Sequence, residues 1–302
     1  MKSSSDNVFE GIPHDHDEPS LFGKFLESLD VSPHSRRAYR NDLRKFASWF
    51  ATANNEPFAS KRVTIRDIAD FRDFSHREKN QAVATVNRCL CSIRKYLGYL
   101  VSQGHLNGNV AVIVKELRRQ QLAPKGLERS QVRKLMREVE LRNDIRANAI
   151  FSLMLYTGCR VGEVVSLEFR DLMVSDRSGS VVLRGKGNKQ RSVPLPIIAR
   201  KAMQTYMECR PPSDSPKVFI GERGPLTDRG IRTLCDKYSA LSGFKIHPHL
   251  LRHTMAHQFL KDSNNDLVAL AQILGHENLT TTSRYTQRSQ DDLAQQADNM
   301  NY

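Results

Sequence analysis

The apolar positions of this chain recur mostly at three- and four-residue intervals, the spacing that places side chains on one face of an α-helix. After Ser32-Pro33, an N-cap followed by a residue suited to the first helical turn, Tyr39, Leu43, Phe46 and Phe50 form one stripe. A shorter helix is predicted over 64–74 and a longer one over 84–100, where Val86, Leu90, Ile93, Leu97 and Leu100 share a face. Residues 1–19 lack periodicity and read as a mobile tail, so 20–108 is expected to be a small all-helical domain. Residues 109–126 then read as a linker, broken by Pro124 and Gly126.

The pattern changes once in 127–287. Helices are predicted over 129–139 and 144–156, the second apolar enough to be a buried core helix; Thr157-Gly158 ends it and Arg160-Val161-Gly162-Glu163 opens the next. Then comes the only clear β signal: Val181-Val182-Leu183-Arg184, the turn Gly185-Lys186-Gly187-Asn188, and a second strand over 189–195. Helices return over 197–208 and 228–241, and Pro248 opens one that carries His249, Arg252, His253 and Ala256 on a single face. Leu267, Leu270, Ile273 and Leu274 mark a short amphipathic helix stopped by Gly275, which delivers His276 into a turn. The run Leu279-Thr280-Thr281-Thr282 offers N-caps for a further helix expected to carry Tyr285, and 288–302 is a polar tail. The expected fold is mainly α with a small antiparallel β-sheet: a helical domain followed by an α+β domain.

Charge narrows the class. Against 33 acidic residues stand 46 Lys and Arg, for a net charge of +13, so a polyanion is the expected partner. Arg36, Arg37, Arg40 and Arg44 lie opposite the first stripe, Arg88, Arg94 and Lys95 beside the stripe of 84–100, and Lys189 and Arg191 beside the glycine turn. Such runs are usually solvated faces; their single sign here favours contact with phosphates, for which Arg118 and Arg119 of the linker are also available. No window approaches the ~18 apolar residues that span a bilayer, and the first twenty residues are polar and acidic rather than a signal peptide, so an intracellular soluble protein is expected. The five cysteines are odd in number and lack a C-x-x-C pair, so neither a disulfide framework nor a zinc ribbon is indicated and reduced thiols within cores are expected.

The candidate chemistry lies in HLLRHTMAHQFLKDSNNDLVALAQILGHENLTTTSRYT, which begins at His249. His249 and Arg252 share a helical face, His276 follows a helix end, and Tyr285 adds a phenol: donors and a nucleophile suited to a phosphodiester. Arg160 at a helix start adds an anion site, and Glu163 can hold its guanidinium. His249, His253 and His257 have zinc-ligand spacing, but no H-E-x-x-H glutamate and no carboxylate lies in that turn, so no metal is expected.

Arg160 in TGCRVGE, Lys186 in GKGNKQR, His249 and Arg252 in HLLRHT, His276 in LGH and Tyr285 in TTSRYT together resemble the motif set of the tyrosine recombinases, the phage-integrase family. The likeness covers roughly 125–290 and extends more weakly over 20–106, which is similar to the family's core-binding domain. It implies a C-shaped clamp closing on double-stranded DNA, at a core site of inverted repeats. It also implies attack by Tyr285 on the scissile phosphate, giving a 3′-phosphotyrosyl link and a free 5′-hydroxyl, with the bond energy kept in the ester so that neither ATP nor any other cofactor is needed. In the roles the resemblance carries, Arg160 and Arg252 fork the non-bridging oxygens and Lys186 protonates the leaving oxygen. His249 assists proton transfer from Tyr285, His276 donates to a phosphate oxygen, and Glu163 supports the site.

Two departures from the family pattern stand away from the chemistry: Cys159 where a larger apolar residue is expected, and Val110 after Asn109 where proline is common. The resemblance further implies a homotetramer on two duplexes, exchanging strands through a Holliday junction, with 288–302 docking on a neighbouring protomer and accessory proteins assisting. The short N-terminal region fits a simple two-domain, Xer-like recombinase or a transposon resolvase, working in the cytoplasm at the nucleoid. A type IB topoisomerase-like strand transferase shares much of this chemistry, and a DNA-binding regulator with a decayed site is the alternative from another class.

Overall fold

The computed structural model describes residues 9–118, 125–185, 189–276 and 278–286. The chain divides into two compact units, Met1–Gln121 and Leu122–Tyr302.

In the first unit, helices α1 (Glu18–Ser28), α2 (Pro33–Ala53), α3 (Ile65–Asp73) and α4 (Val83–Ser102) surround one core, and a single π-helical stretch, Phe74–Glu78, continues α3. Ser32 caps α2 by accepting from the Ser35 N–H at 3.3 Å, and Thr64 with Asp67 closes a capping box on α3. The predicted stripes meet: Leu43, Phe46 and Phe50 of α2 and Leu90, Ile93 and Leu97 of α4 are buried in the same cluster. Two carboxylates are buried with them, and each is fully engaged. Glu18 accepts from the Ser60 N–H (2.5 Å) and the Tyr96 hydroxyl (2.8 Å). Asp42 accepts from Ser92 and Arg88, both at 2.9 Å.

Part of the stretch expected to be a tail is packed. Phe9 and Ile12 are buried in this core, and Phe58 exchanges backbone hydrogen bonds with Pro13 and Asp15, each 2.8 Å. Two isolated apolar residues create no periodicity, yet the Phe9 ring fills a gap between Phe22 and Phe58, with centroids 5.7 and 5.8 Å away. Much of the expected linker is also fixed to this unit. Ala111 and Val114 are buried, and Asn87 on α4 donates to the Leu117 carbonyl and accepts from its N–H, both at 2.9 Å.

The second unit begins with α5 (Arg129–Leu141), α6 (Ile145–Thr157) and α7 (Val161–Ser166), then strands β1 (Leu172–Val174), β2 (Gly179–Arg184) and β3 (Gln190–Pro194). It continues through α8 (Ile197–Cys209), the strand pair β4 (Ile220–Gly221) and β5 (Gly224–Pro225), α9 (Asp228–Ser242), α10 (Pro248–Asp262), α11 (Leu267–Leu274) and α12 (Leu279–Ser283). As predicted, α6 is a core helix: Ile150, Phe151, Leu153 and Met154 are fully buried, and α5, α8 and α10 pack around it. The hairpin β2–β3 is antiparallel, with Val181 opposite Val193 and Leu183 opposite Arg191. It gains β1 on its free side, a strand absent from the sequence reading, as were β4 and β5. Runs of two or three residues are too short to show alternation.

The cysteines split, against the expectation that all lie in cores. Cys89, Cys159 and Cys235 are buried, and burial pushes each thiol up to about 12. Cys91 on α4 and Cys209 at the end of α8 are exposed.

Candidate active site

Helix α10 starts with His247, whose Nδ1 accepts from the Leu250 N–H at 3.1 Å, and with Pro248 in the first turn. This cap sets His249, Arg252 and His253 at the end of α10 nearest α7 and α11. His249 is exposed, Arg252 is only 5% exposed, and His253 is half-buried.

The Arg252 guanidinium ties three chain segments together. Nη1 donates to the Gly158 carbonyl at 2.5 Å, Nη2 donates to the Leu274 carbonyl at 2.9 Å, and Nη2 also lies 3.0 Å from His276 Nε2. Those carbonyls belong to the ends of α6 and α11, where helices leave acceptors without partners. Burial, and after it the charge of Arg160, brings the guanidinium down to about 10, so it remains a cation at neutral pH.

Arg160 is the N-cap of α7, and Glu163 binds it twice: its N–H donates to Oε2 at 2.7 Å and its Nη1 to Oε1 at 3.0 Å. Arg191 of β3 completes the arrangement from the other side, with Nη1 and Nη2 on the same two oxygens at 2.7 and 2.8 Å and Nε on the Ile273 carbonyl at 2.7 Å. Burial alone would raise the Glu163 carboxyl; the Arg191 hydrogen bonds, the Arg160 N–H and the two cationic charges outweigh it and hold the group below the usual range. One carboxylate thus fixes the start of α7, strand β3 and, through Arg191, the end of α11.

His276 follows directly. Gly275 has φ of +65°, and a Cβ there would stand 2.9 Å from Arg191 Cδ, so only glycine fits the turn without displacing the guanidinium. The His276 ring is held at both nitrogens, Nε2 near Arg252 and Nδ1 at 2.9 Å from the Thr282 hydroxyl. Tyr285 lies just past the end of α12 instead of within a helix as expected. Its phenol is 6% exposed, with Oη 2.9 Å from His253 Nδ1. Burial raises its pKa, while Arg252, Arg284 and Arg160 oppose that rise.

The structure therefore brings Arg160, Glu163, Arg252, His276 and Tyr285 together, with His249 in the first turn of α10 beside them. Lys186 lies outside the described residues; the Gly185 N–H donates to the Lys189 carbonyl at 2.7 Å. His253 is a site member to which the sequence reading assigned no catalytic role, because it shares its helical face with His249. The placement of Tyr285 decides which of the two meets the phenol. Among the described residues no group of three His, Cys, Asp or Glu side chains is placed to hold a metal.

The basic residues expected to meet phosphates divide into two sets. In the first unit a groove of about 1290 Å³ is lined by Arg37, Asn41, Arg44, Lys45, Arg77 and Arg88. Arg36 and Arg40 are half-buried on α2, Lys95 lies over the Tyr39 ring at 5.3 Å, and Lys189 is exposed. Two others are corrected. Arg94 donates to the carbonyls of Ala111 and Val114 (3.1 and 2.6 Å) and to Glu116 (2.8 Å), and Arg191 is engaged as described, so both brace the fold. A charge pattern cannot distinguish an arginine facing solvent from one that closes a loop.

Burial and nearby cations push His253 and His276 each down to about 4, from an ordinary 6.5. Because the folded state favours the neutral rings, their contribution to stability is complete above the unfolded value and is lost as pH falls from 6.5 towards 4. Calorimetry should show the melting temperature falling across that window. A variant carrying both His253→Gln and His276→Gln should fall less steeply, and equal slopes would contradict the assignment.

Residues 125–291 match the model of the phage integrase family, and residues 21–104 match that of its N-terminal SAM-like domain. The chain belongs to the phage integrase family. Among similar phage integrase family proteins, tyrosine recombinase XerC of Thermodesulfovibrio yellowstonii is 33% identical over 269 residues, covering 84% of this chain and 86% of its own. XerC of Oceanobacillus iheyensis is 30% identical over 285 residues, covering 89% and 92%. The fold is also that of the XerH site-specific recombinase, solved as a post-cleavage complex with palindromic difH substrate, at a TM-score of 0.75 and 18% identity over 98% of this chain and 90% of that one.

Proposed function

We propose that this chain is a site-specific tyrosine recombinase that cuts and rejoins double-stranded DNA through a covalent Tyr285 intermediate. The observation that carries this reading is the joining of Arg252 to His276, with the Tyr285 phenol in the field of Arg252 and Arg160. Two guanidinium groups and an imidazole around one phenol are the donor set that a phosphodiester needs as charge builds on its non-bridging oxygens. Attack by Oη, whose proton passes to His249, forms the phosphotyrosyl bond and breaks the bond to the 5′-oxygen, which takes a proton from Lys186. A 5′-hydroxyl from a partner strand reverses the step, and the ester carries the bond energy throughout.

In this reading the basic groove of the first unit follows the DNA backbone. Four protomers on two duplexes exchange strands through a Holliday junction, and residues 288–302, which lie outside the described residues, dock on the next protomer. Accessory proteins would set direction, and the protein would act in the cytoplasm at the nucleoid. Consistent with this, no helix among the described residues is long and apolar enough to cross a membrane.

The test is covalent capture in EDTA. Wild type and Tyr285→Phe are incubated with fragmented DNA from the source replicon, denatured in SDS, and the attached DNA is sequenced. A wild-type adduct that is absent from the Phe variant and maps to one inverted repeat supports the reading. Adducts scattered over all sequences would indicate a topoisomerase-like strand transferase, and no adduct on any DNA, nicked substrates included, would leave a DNA-binding regulator.

A further inference from the structure

We propose that Arg88 reads a guanine in the major groove of the DNA site, held for that task by the buried carboxylate of Asp42. The inference rests on the recombinase reading above and adds to it a residue that sets the sequence preference. Asp42 of α2 is fully buried, and three donors of α4 converge on it. Arg88 Nη2 at 2.9 Å and Cys89 Sγ at 3.2 Å meet Oδ1, and the Ser92 hydroxyl donates to Oδ2 at 2.9 Å. Arg88 nevertheless stays open, with 47% of its side chain accessible, and lines the basic groove of the first unit. Arg37, Arg44, Lys45 and Arg77 line the same groove as exposed side chains. Arg88 is set apart by its buried counter-ion.

That pairing separates two ways in which an arginine can meet DNA. A phosphate contact draws on net positive charge, and a guanidinium already met by Asp42 brings little of it. What the ion pair preserves is hydrogen-bond geometry. Nη2 carries the salt bridge, and its second hydrogen with those of Nη1 suffices for a planar fork. Two donors side by side, with no acceptor, fit an edge that presents two acceptors. In the major groove that edge is O6 and N7 of guanine; adenine pairs an acceptor with a donor, cytosine offers a donor, and thymine sets an acceptor beside a methyl group. A fork fixed in advance loses less freedom on binding than a mobile side chain, so its direction discriminates as well as attracts. The major groove admits an α-helix, and Ala84, one turn before Arg88 on α4, is small and exposed, which lets this part of the helix come close.

The experiment uses the full chain and a library of random duplexes, with bound DNA recovered from a gel shift and sequenced. Wild type should prefer one G·C pair in each half of its inverted repeat by about 10- to 100-fold. Arg88→Ala should erase that preference and keep those at the other positions. Arg88→Lys retains a cation for Asp42 but not the fork, so it should lose most of the same preference. Asp42→Asn removes the ion pair and should weaken that preference while binding unrelated DNA more tightly, because a negative charge has left the interface. Calorimetry checks that each variant is folded, and Arg88→Lys keeps the test decisive should the others unfold.

Weaker binding of Arg88→Ala to all sequences alike, with every base preference kept and the salt slope reduced by about one, would make Arg88 a phosphate contact and overturn the proposal. Unchanged binding and preferences would reduce it to a tie between α2 and α4, and a wild type that selects no sequence would overturn it outright. Covalent capture on the selected DNA separates this inference from the recombinase reading. An adduct there, with base preferences indifferent to Arg88, overturns the inference alone. Loss of the preference on DNA that yields no adduct upholds the role of Arg88 and overturns the recombinase reading.

Discussion

Arg252→Ala is expected to slow formation of the Tyr285 adduct by about 10³-fold, the loss typical of removing a buried donor from a developing anion. The same substitution should also destabilise the second unit, because Arg252 braces the fold apart from the phosphate contact proposed for it. Its loss leaves the Gly158 and Leu274 carbonyls without their donor and removes the partner of His276 Nε2. Two unmet buried acceptors cost about 3 kcal/mol together, which at this size lowers the melting temperature by roughly 10 °C. Arg252→Lys separates the two effects. It keeps the charge, but one ammonium cannot replace a planar fork that reaches two carbonyls and, in the proposed reaction, a phosphate, so cleavage should remain far below wild type. Single-turnover cleavage and calorimetry on the same preparations check both statements, and near-normal cleavage by folded Arg252→Ala would remove Arg252 from the site.

Glu163→Ala should be the most destabilising change at the site, by about 3–5 kcal/mol, because it leaves two guanidinium groups facing a position that holds no negative charge. Arg191 is the more exposed to this loss, since its side chain is only 12% accessible and its Nη atoms have Glu163 as their carboxylate. Removing both partners, as in Glu163→Gln combined with Arg191→Met, should cost less than the sum of the single changes, because neither charge is then stranded. Denaturant unfolding of the four proteins measures that coupling, and additive losses would show that the pair does not act as a unit.

The pH dependence has a definite sign. The folded carboxyl is held below its ordinary 4.5, so its stabilisation is present above that value and disappears as pH falls through the folded one. Wild type and Glu163→Gln should therefore converge in stability in acid. Cleavage should suffer alongside stability, since Glu163 holds Arg160 in place and, through Arg191, the end of α11 from which His276 emerges.

Much of this arrangement was legible before any coordinates. The stripes of α2 and α4, the core helix α6, the glycine hairpin and the Gly275 stop are local patterns, and a periodic apolar face has little choice but to turn inward. The members of the site were legible for a different reason: each stands at a helix start, a helix end or a turn, positions that punctuation in the sequence marks. What was not legible depends on distant parts of the chain. Phe9 looks like any residue of a polar tail until Phe22 and Phe58 are placed beside it. Arg94 and Arg191 read as surface charge until the loop carbonyls and the Glu163 carboxylate come within 3.1 Å of them. His249 and His253 are equivalent on a helical face, and only the placement of the chain after α12 selects between them.

The division of the cysteines gives the protein a built-in pair of attachment points. Cys89, Cys159 and Cys235 are shielded and, with pKa values near 12, carry almost no thiolate at neutral pH, so alkylating dyes should pass them by. Cys91 and Cys209 stand in solvent, one on each unit. A donor and acceptor fluorophore placed on the natural chain would therefore follow the separation of the two units as DNA is added, with no cysteine introduced or removed.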